Sequence, residues 1–235
     1  MKKAFLLLAS LSVVGAANAV TFVEGFDNVP GLATSGWRFS NQSTAASANL
    51  WRQGSGAANG NGPAHSGAAT SYAIANYTDT SSTASTGATI SNWMITPLLN
   101  FGGTNHTMSF WTRTAAGNPF PDRLEVRLST TDNLTGTSPT DVGSFTTNLL
   151  TINPNLQSGA ANYPDVWTQY TINITGVTSG HIAFRYHVTN GGVNGANSNL
   201  IGVDTLSIQA VPEPATMAAL GLGVAAMLRR RRKSA

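Results

Sequence analysis

Between His181 and Val188 the side chains alternate without a break. Ile182, Phe184, Tyr186 and Val188 stand on one parity, and His181, Ala183, Arg185 and His187 on the other. A period of two is that of a strand with one buried face. The pattern recurs. Met108–Thr112 is rich in β-formers, and Leu124–Ser129 alternates apolar with polar. Trp167–Ile174 places Tyr170, Ile172 and Ile174 on one side, and Ile201–Ile208 closes the series. Gly, Pro, Asn and Asp fill the gaps, as turns require. No interior stretch carries a helical period. Many short strands between Gly-rich loops predict an all-β fold, a β-sandwich of jelly-roll type. Two stretches read as loops, Gln42–Ser71 and Asn190–Asn199, whose compositions hold too little apolar surface to order themselves.

The chain has no cysteine. Neither a disulfide framework nor a Cys-ligated zinc site is available, so burial alone must hold the domain. Its ends differ from its middle. Lys2 and Lys3 precede an apolar run from Ala4 to Ala17, and Ala17-Asn18-Ala19 has the A-x-A form of a signal-peptidase site. Residues 1–19 therefore read as a signal peptide, cut after Ala19, that engages the secretory translocon and signal peptidase.

At the other end, Pro212-Glu213-Pro214 breaks any preceding helix. Ala215–Leu228 is a run of 14 uncharged residues, and Arg229, Arg230, Arg231, Arg232 and Lys233 form a basic block. As a helix the run spans roughly 21 Å, short of the ~30 Å hydrocarbon core. Snorkelling arginines extend that reach, and the basic block holds its end in the cytoplasm. A short transmembrane helix over about 215–228, with the basic tail 229–233, reads as a temporary inner-membrane anchor.

Removing both ends reverses the charge balance. The whole chain has 13 Lys+Arg against 10 Asp+Glu. Seven of the cations are Lys2, Lys3 and the tail block. Residues 20–210 keep six arginines and nine acids, so 6 − 9 = −3. The basic isoelectric point belongs to the targeting segments, and nucleic-acid binding loses its support.

Pro-Glu-Pro, a short apolar helix and an arginine cluster, in that order at the end of the chain, resemble the PEP-CTERM sorting signal. The resemblance implies export in a Gram-negative bacterium. It implies cleavage near Pro212–Pro214 by an exosortase-type membrane protease, delivery to the outer surface or extracellular matrix, and association with extracellular polysaccharide. A second resemblance covers residues 20–210. Glu24-Gly25-Phe26-Asp27 with Gly36-Trp37 opens the domain, and Ser91-Asn92-Trp93-Met94-Ile95-Thr96-Pro97-Leu98 follows. Leu124–Thr130, Trp167, the Ile182–Tyr186 strand and Ile201–Ile208 complete the order. This is similar to the choice-of-anchor J domain, which is akin to cleaved-adhesin and MAM-like jelly rolls. The closing strand has Asp204-Thr205 where that family usually has two acids.

That resemblance implies a structural calcium ion between the first and last strands, held by Glu24, Asp27 and Asp204. Hard oxygen ligands and an exported location suit Ca²⁺. The competing reading is that Asp27 and Asp204 cap turns or accept backbone hydrogen bonds. Among five tryptophans, Trp93, Trp111 and Trp167 sit in strand-like contexts and read as core. Trp51, beside Arg52 and before a Gly-rich loop, is the candidate for an exposed, sugar-stacking ring.

Catalytic residues are not assigned. His181 and His187 share a face but lie roughly 20 Å apart along a strand. Asp122 and Glu125 fall on opposite faces and read as solvated edge charges. No G-x-S-x-G, H-E-x-x-H or P-loop is present. The expected protein is a non-catalytic surface or matrix protein with an adhesive role, made of residues 1–19, 20–210 and the sorting segment 211–235. The alternative is a carbohydrate-binding module or carbohydrate-active enzyme of the cell surface.

Overall fold

The computed structural model describes residues 22–56, 62–83 and 88–211. The expected signal peptide with its Ala17–Ala19 site, the Pro212–Pro214 motif, the helix expected over 215–228 and the basic block lie outside the described residues.

Twelve strands run through the described residues. They are β1 (Phe22–Glu24), β2 (Arg38–Asn41), β3 (Arg52–Gln53), β4 (Ala73–Asn76), β5 (Thr89–Ile95) and β6 (Leu99–Asn100), then β7 (His106–Thr114), β8 (Leu124–Ser129), β9 (Thr147–Ile152), β10 (Thr168–Ile174), β11 (Ser179–Thr189) and β12 (Leu200–Ala210). The helical pieces described are two 3₁₀ segments, Val29–Ser35 and Tyr77–Asp79. One sheet has the order β10-β7-β12-β4-β3, with β1 also on β12. The other has the order β2-β5-β11-β8-β9, with β6 also on β11. Every pairing is antiparallel. The architecture is the expected β-sandwich.

The period-two pattern sets the core. On β7, Met108 and Phe110 point inward, and on β11, Ile182, Phe184, Tyr186 and Val188 do so. Phe110 meets Phe184 edge to face at 5.1 Å, a favoured aromatic geometry across the sandwich.

Both sheets are also covered on their outer faces, which alternation alone does not foretell. Over the second sheet, Trp93, Ile95, Phe145 and Ala183 form a separate apolar cluster. The β8–β9 connection brings Phe145 to within 5.5 Å of Trp93, centroid to centroid. The same connection accepts hydrogen bonds from Arg38 at Asn133 and from Arg185 at the Pro139 carbonyl. Over the first sheet lie residues 62–71, within the stretch expected to be unanchored loop. The Trp167 indole donates to the Pro63 carbonyl at 2.8 Å. His65 stacks on Trp111 at 3.7 Å with an interplanar angle of 16°. The Tyr72 hydroxyl donates to the Gly56 carbonyl. Trp111 and Trp167, far along the chain, and the adjoining Tyr72 supply the ordering that the composition of the stretch lacks. The Gln42–Ser71 expectation is therefore corrected: β3 pairs with β4 and Ala46 bridges Thr80 inside it.

The Asn190–Asn199 segment forms no strand before Leu200, but it too is held by distant groups. Gly191 N–H donates to the Ala88 carbonyl and Ser198 N–H to the Pro121 carbonyl.

Candidate functional site

The opening motif leaves β1 through a turn that closes on β12. Glu24 pairs in register with Leu206. Phe26 adopts φ 54° and Thr205 φ 50°, and β12 is bulged between Asp204 and Ser207. A bulge re-aims a side chain, and here it lies beside Asp204. The Asp204 carboxylate accepts the Ser66 N–H at 3.1 Å and the Thr205 N–H at 2.5 Å. On the neighbouring residue, Gly67 has φ +82°, and a Cβ there would stand 3.0 Å from Asp27 Oδ1. Asp27 and Asp204 thus approach one short turn, Ser66–Gly67.

Glu24 stays beside its own turn, with Oε1 accepting the Phe26 N–H at 2.8 Å. Burial raises the pKa of both Glu24 and Asp204, and Asp27 adds to the effect on Glu24. None of the three is in a salt bridge among the described residues. Oxygen donors with uncompensated negative charge suit a hard cation. Among the described residues, however, no three His, Cys, Asp or Glu side chains cluster as a metal site, so backbone carbonyls would have to complete a coordination shell. Asp204 does what the competing reading expects, accepting two backbone hydrogen bonds.

The sugar-stacking role expected of Trp51 is corrected. Trp51 is 3 % exposed and belongs to the main core, and its indole donates to the Asn92 carbonyl at 3.1 Å. The short strand β3, unseen in the sequence, pairs with β4 and carries the preceding ring between the sheets. Trp93 is buried as expected. Trp111 and Trp167, expected in the core, are only half-buried. Phe110 points inward, so Trp111 points to the outer face. That signal was present in the alternation of Met108, Phe110 and Thr112.

His181 and His187 do share the outer face of β11. His181 Nδ1 lies 2.9 Å from the Thr96 carbonyl, and His187 Nδ1 lies 2.9 Å from Glu125 Oε1. The reading of Asp122 and Glu125 as solvated edge charges is corrected, because both are buried. They serve separate networks. Glu125 receives Arg127 at 2.6 Å, Arg185 at 3.1 Å and His187. Burial alone would raise its pKa, but those three neighbours outweigh it and hold the carboxyl well below the usual range. Arg185 in turn lies 4.6 Å over the Trp93 ring. The alternating pattern marks Glu125 and Arg185 as outward-facing. What hides them is the β8–β9 connection, which no local pattern announces.

Asp122 lies at the floor of an open cleft of about 300 Å³. The β7–β8 loop forms one wall and the β9–β10 loop the other. The Asp122 carboxylate meets Tyr186 OH at 2.5 Å, Thr114 Oγ1 at 2.6 Å, and Asn118 Nδ2 and Asn199 N–H at 2.8 Å each. Burial is the largest influence on it and pushes its pKa up to about 6. With so many partners it organises the floor rather than offering a free base.

The chain carries a PEP-CTERM protein-sorting motif. The match spans residues 210–233, the stretch in which Pro-Glu-Pro, apolar run and basic block were read. The PEP-CTERM motif implies an exported, membrane-transiting protein processed by an exosortase. No curated protein matches the chain. Among solved structures, the K1 and K3 cleaved adhesin domains of Lys-gingipain from Porphyromonas gingivalis are similar in fold. K1 has a TM-score of 0.54 at 20 % identity, and K3 has 0.55 at 18 %. Each comparison covers 82 % of this chain and 99 % of the other. At that identity the likeness establishes the architecture, an antiparallel sandwich of the jelly-roll kind.

Proposed function

We propose that this is a non-catalytic surface or extracellular-matrix protein, released from a temporary inner-membrane hold at its PEP-CTERM segment, whose sandwich makes adhesive contacts. The single observation that carries this reading is the sorting motif over residues 210–233. A fold similar to cleaved-adhesin domains supports it, and the order of short motifs across residues 20–210 resembles that of choice-of-anchor J domains. In this reading residues 1–19 are removed, residues 20–210 form the working domain, and the chain is cut near Pro212–Pro214. Intact-mass measurement of the protein from fractionated native cells tests it. The expected result is a product that begins at Val20, ends near Pro214, and lies in the outer-surface or culture fraction. A product that keeps Arg229–Lys233 in the inner membrane overturns it.

A second reading, a carbohydrate-binding module, is favoured by one observation, the open cleft over Asp122. It is compatible with the first, since adhesion to extracellular polysaccharide is one form of matrix contact.

Calcium at the Glu24, Asp27 and Asp204 turn belongs to the same proposal, as a clamp between β1, the 62–71 segment and β12. Extracellular sites of this kind bind at about 10⁻⁴–10⁻³ M. About 10 mM Ca²⁺ is then expected to add about 1.4–2.7 kcal/mol, or roughly 3–10 °C in Tm. Excess EDTA reverses the gain and Asp27→Asn abolishes it. A Tm indifferent to Ca²⁺ leaves Asp204 as a backbone acceptor that fastens the turn.

A further inference from the structure

The cleft between the β7–β8 and β9–β10 loops has a composition that selects a ligand class. Its wall and floor include Asn118, Phe120, Asp122, Gln157, Ser158 and Asp165. Among the described residues that line it there is no lysine, arginine or histidine. Arg113 approaches the cleft from behind two of its lining residues, Thr114 and Asp165. Its guanidinium donates to the Thr114 and Asp165 carbonyls, on the side of the Gly62 turn.

Neither Asp122 nor Asp165 is in a salt bridge among the described residues, and Arg113 offsets only one of the two charges, so the cleft keeps a negative balance that disfavours anions. Amide and hydroxyl side chains at its rim, Gln157 and Ser158, can both donate and accept. Phe120, between Pro119 and Pro121 in the lining, is 45 % exposed, a ring suited to lie against the apolar face of a sugar.

Two lining glycines widen the access. Gly117, in one loop, has φ +67°, and Gly159, in the other, has φ +98°. A Cβ at either would meet nothing within 4 Å, so bare backbone faces open space on both walls. Such glycines let a ligand approach the main chain closely. A volume of about 300 Å³ is at the small end of ligand sites, the scale of a ring or two rather than a long chain.

We propose that this cleft binds an uncharged pyranose residue of a glycan and discriminates against its uronic-acid counterpart. The inference rests on the carbohydrate-contact reading and gives it a site. Phe120 supplies the stacking face. Gln157 and Ser158 read the ring hydroxyls, and Asp165 excludes carboxylates. Asp122, fixed by its partners, holds the floor through Asn118.

The test is saturation-transfer NMR and calorimetry on the full-length protein in a zwitterionic detergent, which avoids sugar headgroups. The probes are cello-, manno-, galacto- and xylotriose, with β-1,4-triglucuronate as the acidic match to cellotriose. Saturable binding of at least one neutral trisaccharide is expected, at least about tenfold tighter than the triuronate, a single hydrogen-bonded contact being worth about that factor. Ala160→Trp, which fills the cleft from an exposed loop, is expected to abolish the signal, and Phe120→Ala to weaken it about tenfold or more. Gln157→Lys is expected to narrow the neutral-to-acidic ratio. Far-UV circular dichroism of each variant separates loss of binding from loss of fold, and Phe120→Ala decides the matter if Ala160→Trp misfolds. Absence of saturable binding by all neutral probes overturns the proposal, as does binding untouched by both variants or equal affinity for the triuronate. None of these outcomes affects the sorting reading, which stands or falls on the intact mass and cell fraction.

Discussion

Glu125→Gln is expected to be among the most destabilising conservative substitutions in the domain, at about 3–5 kcal/mol, the cost of breaking a buried ion pair by removing one partner. The replacement is nearly isosteric, so the loss is one of charge. Arg185 is 1 % exposed and cannot shed its proton. It keeps the Trp93 face, the Ser91 hydroxyl at 3.0 Å and the Pro139 carbonyl, but loses the carboxylate that compensates it. Arg127 and Arg123 lie on the same carboxylate's periphery, so their mutual repulsion also goes uncancelled. For a domain of this size the expected fall in Tm is roughly 6–20 °C, read by calorimetry.

Arg127→Gln supplies the comparison. Its side chain is partly exposed, water can take its place, and the cost should be about 1 kcal/mol or less. A Glu125→Gln protein melting within about 2 °C of the parent would mean that solvent reaches the cluster and that the β8–β9 connection does not seal it.

Asp122→Ala is expected to cost about 2–4 kcal/mol. It removes the acceptor shared by Tyr186, Asn118, Thr114 and the Asn199 N–H, and each buried donor left unpaired costs about 1–3 kcal/mol. The cleft lowers the total, since water can enter from above and satisfy part of the set. Asp122→Asn keeps two acceptor contacts and is milder, but it changes the pH profile.

Asp122 titrates at about 6 in the fold against an ordinary 3.8, so the native state holds the proton more tightly than the unfolded chain. Its contribution is therefore complete below about pH 4 and is lost as pH rises through 6. Thr114 makes the protonated form reasonable. Its single hydroxyl hydrogen faces both Asp122 Oδ2 at 2.6 Å and the Leu200 carbonyl at 2.8 Å. A proton on Asp122 lets the hydroxyl accept from one and donate to the other.

Asp79, also pushed up to about 6 by burial, acts in the same direction. Glu125, held low, acts oppositely: its contribution is lost as pH falls below about 4.5. On these three groups stability should therefore rise as pH falls through 6 and turn over only near pH 4, where the loss from Glu125 offsets the gain from the two aspartates. Each raised aspartate adds about 1 kcal/mol on going from pH 7.5 to 5, and Asp122→Asn should about halve that gain. A variant with an unchanged slope would place the titration elsewhere.

Much of the architecture was legible before any coordinates. The strands β8, β10 and β11 are visible as alternation, because a strand with one face in the core must repeat every two residues, and β7 and β12 as runs of β-forming residues. The missed strands fall into two kinds. β1, β2, β3, β4 and β6 have two to four residues, too few for a period to register. β5 is buried on both faces, and β9 reads TNLLTI and carries mostly exposed and half-buried residues, so neither offers a clean alternation. The candidate ligand-binding tryptophan was misplaced for the same reason. Trp51 owes its burial to a two-residue strand, and Trp111 owes its outward direction to a parity that the sequence did show.

What the sequence determined by itself, then, is the sandwich, its main core, its lack of covalent cross-links and the sorting segment. Each of these is local: a period, a composition, or a linear motif. Only the tertiary structure decided which outward faces meet water. The buried Glu125–Arg185 pair, His65 lying on Trp111, the turn that draws Asp27 toward Asp204, and the cleft above Asp122 all depend on segments far apart in the chain. Alternation assigns a side chain to a face. Whether that face is solvated depends on which distant loop can satisfy its backbone hydrogen bonds there, and no local pattern carries that information.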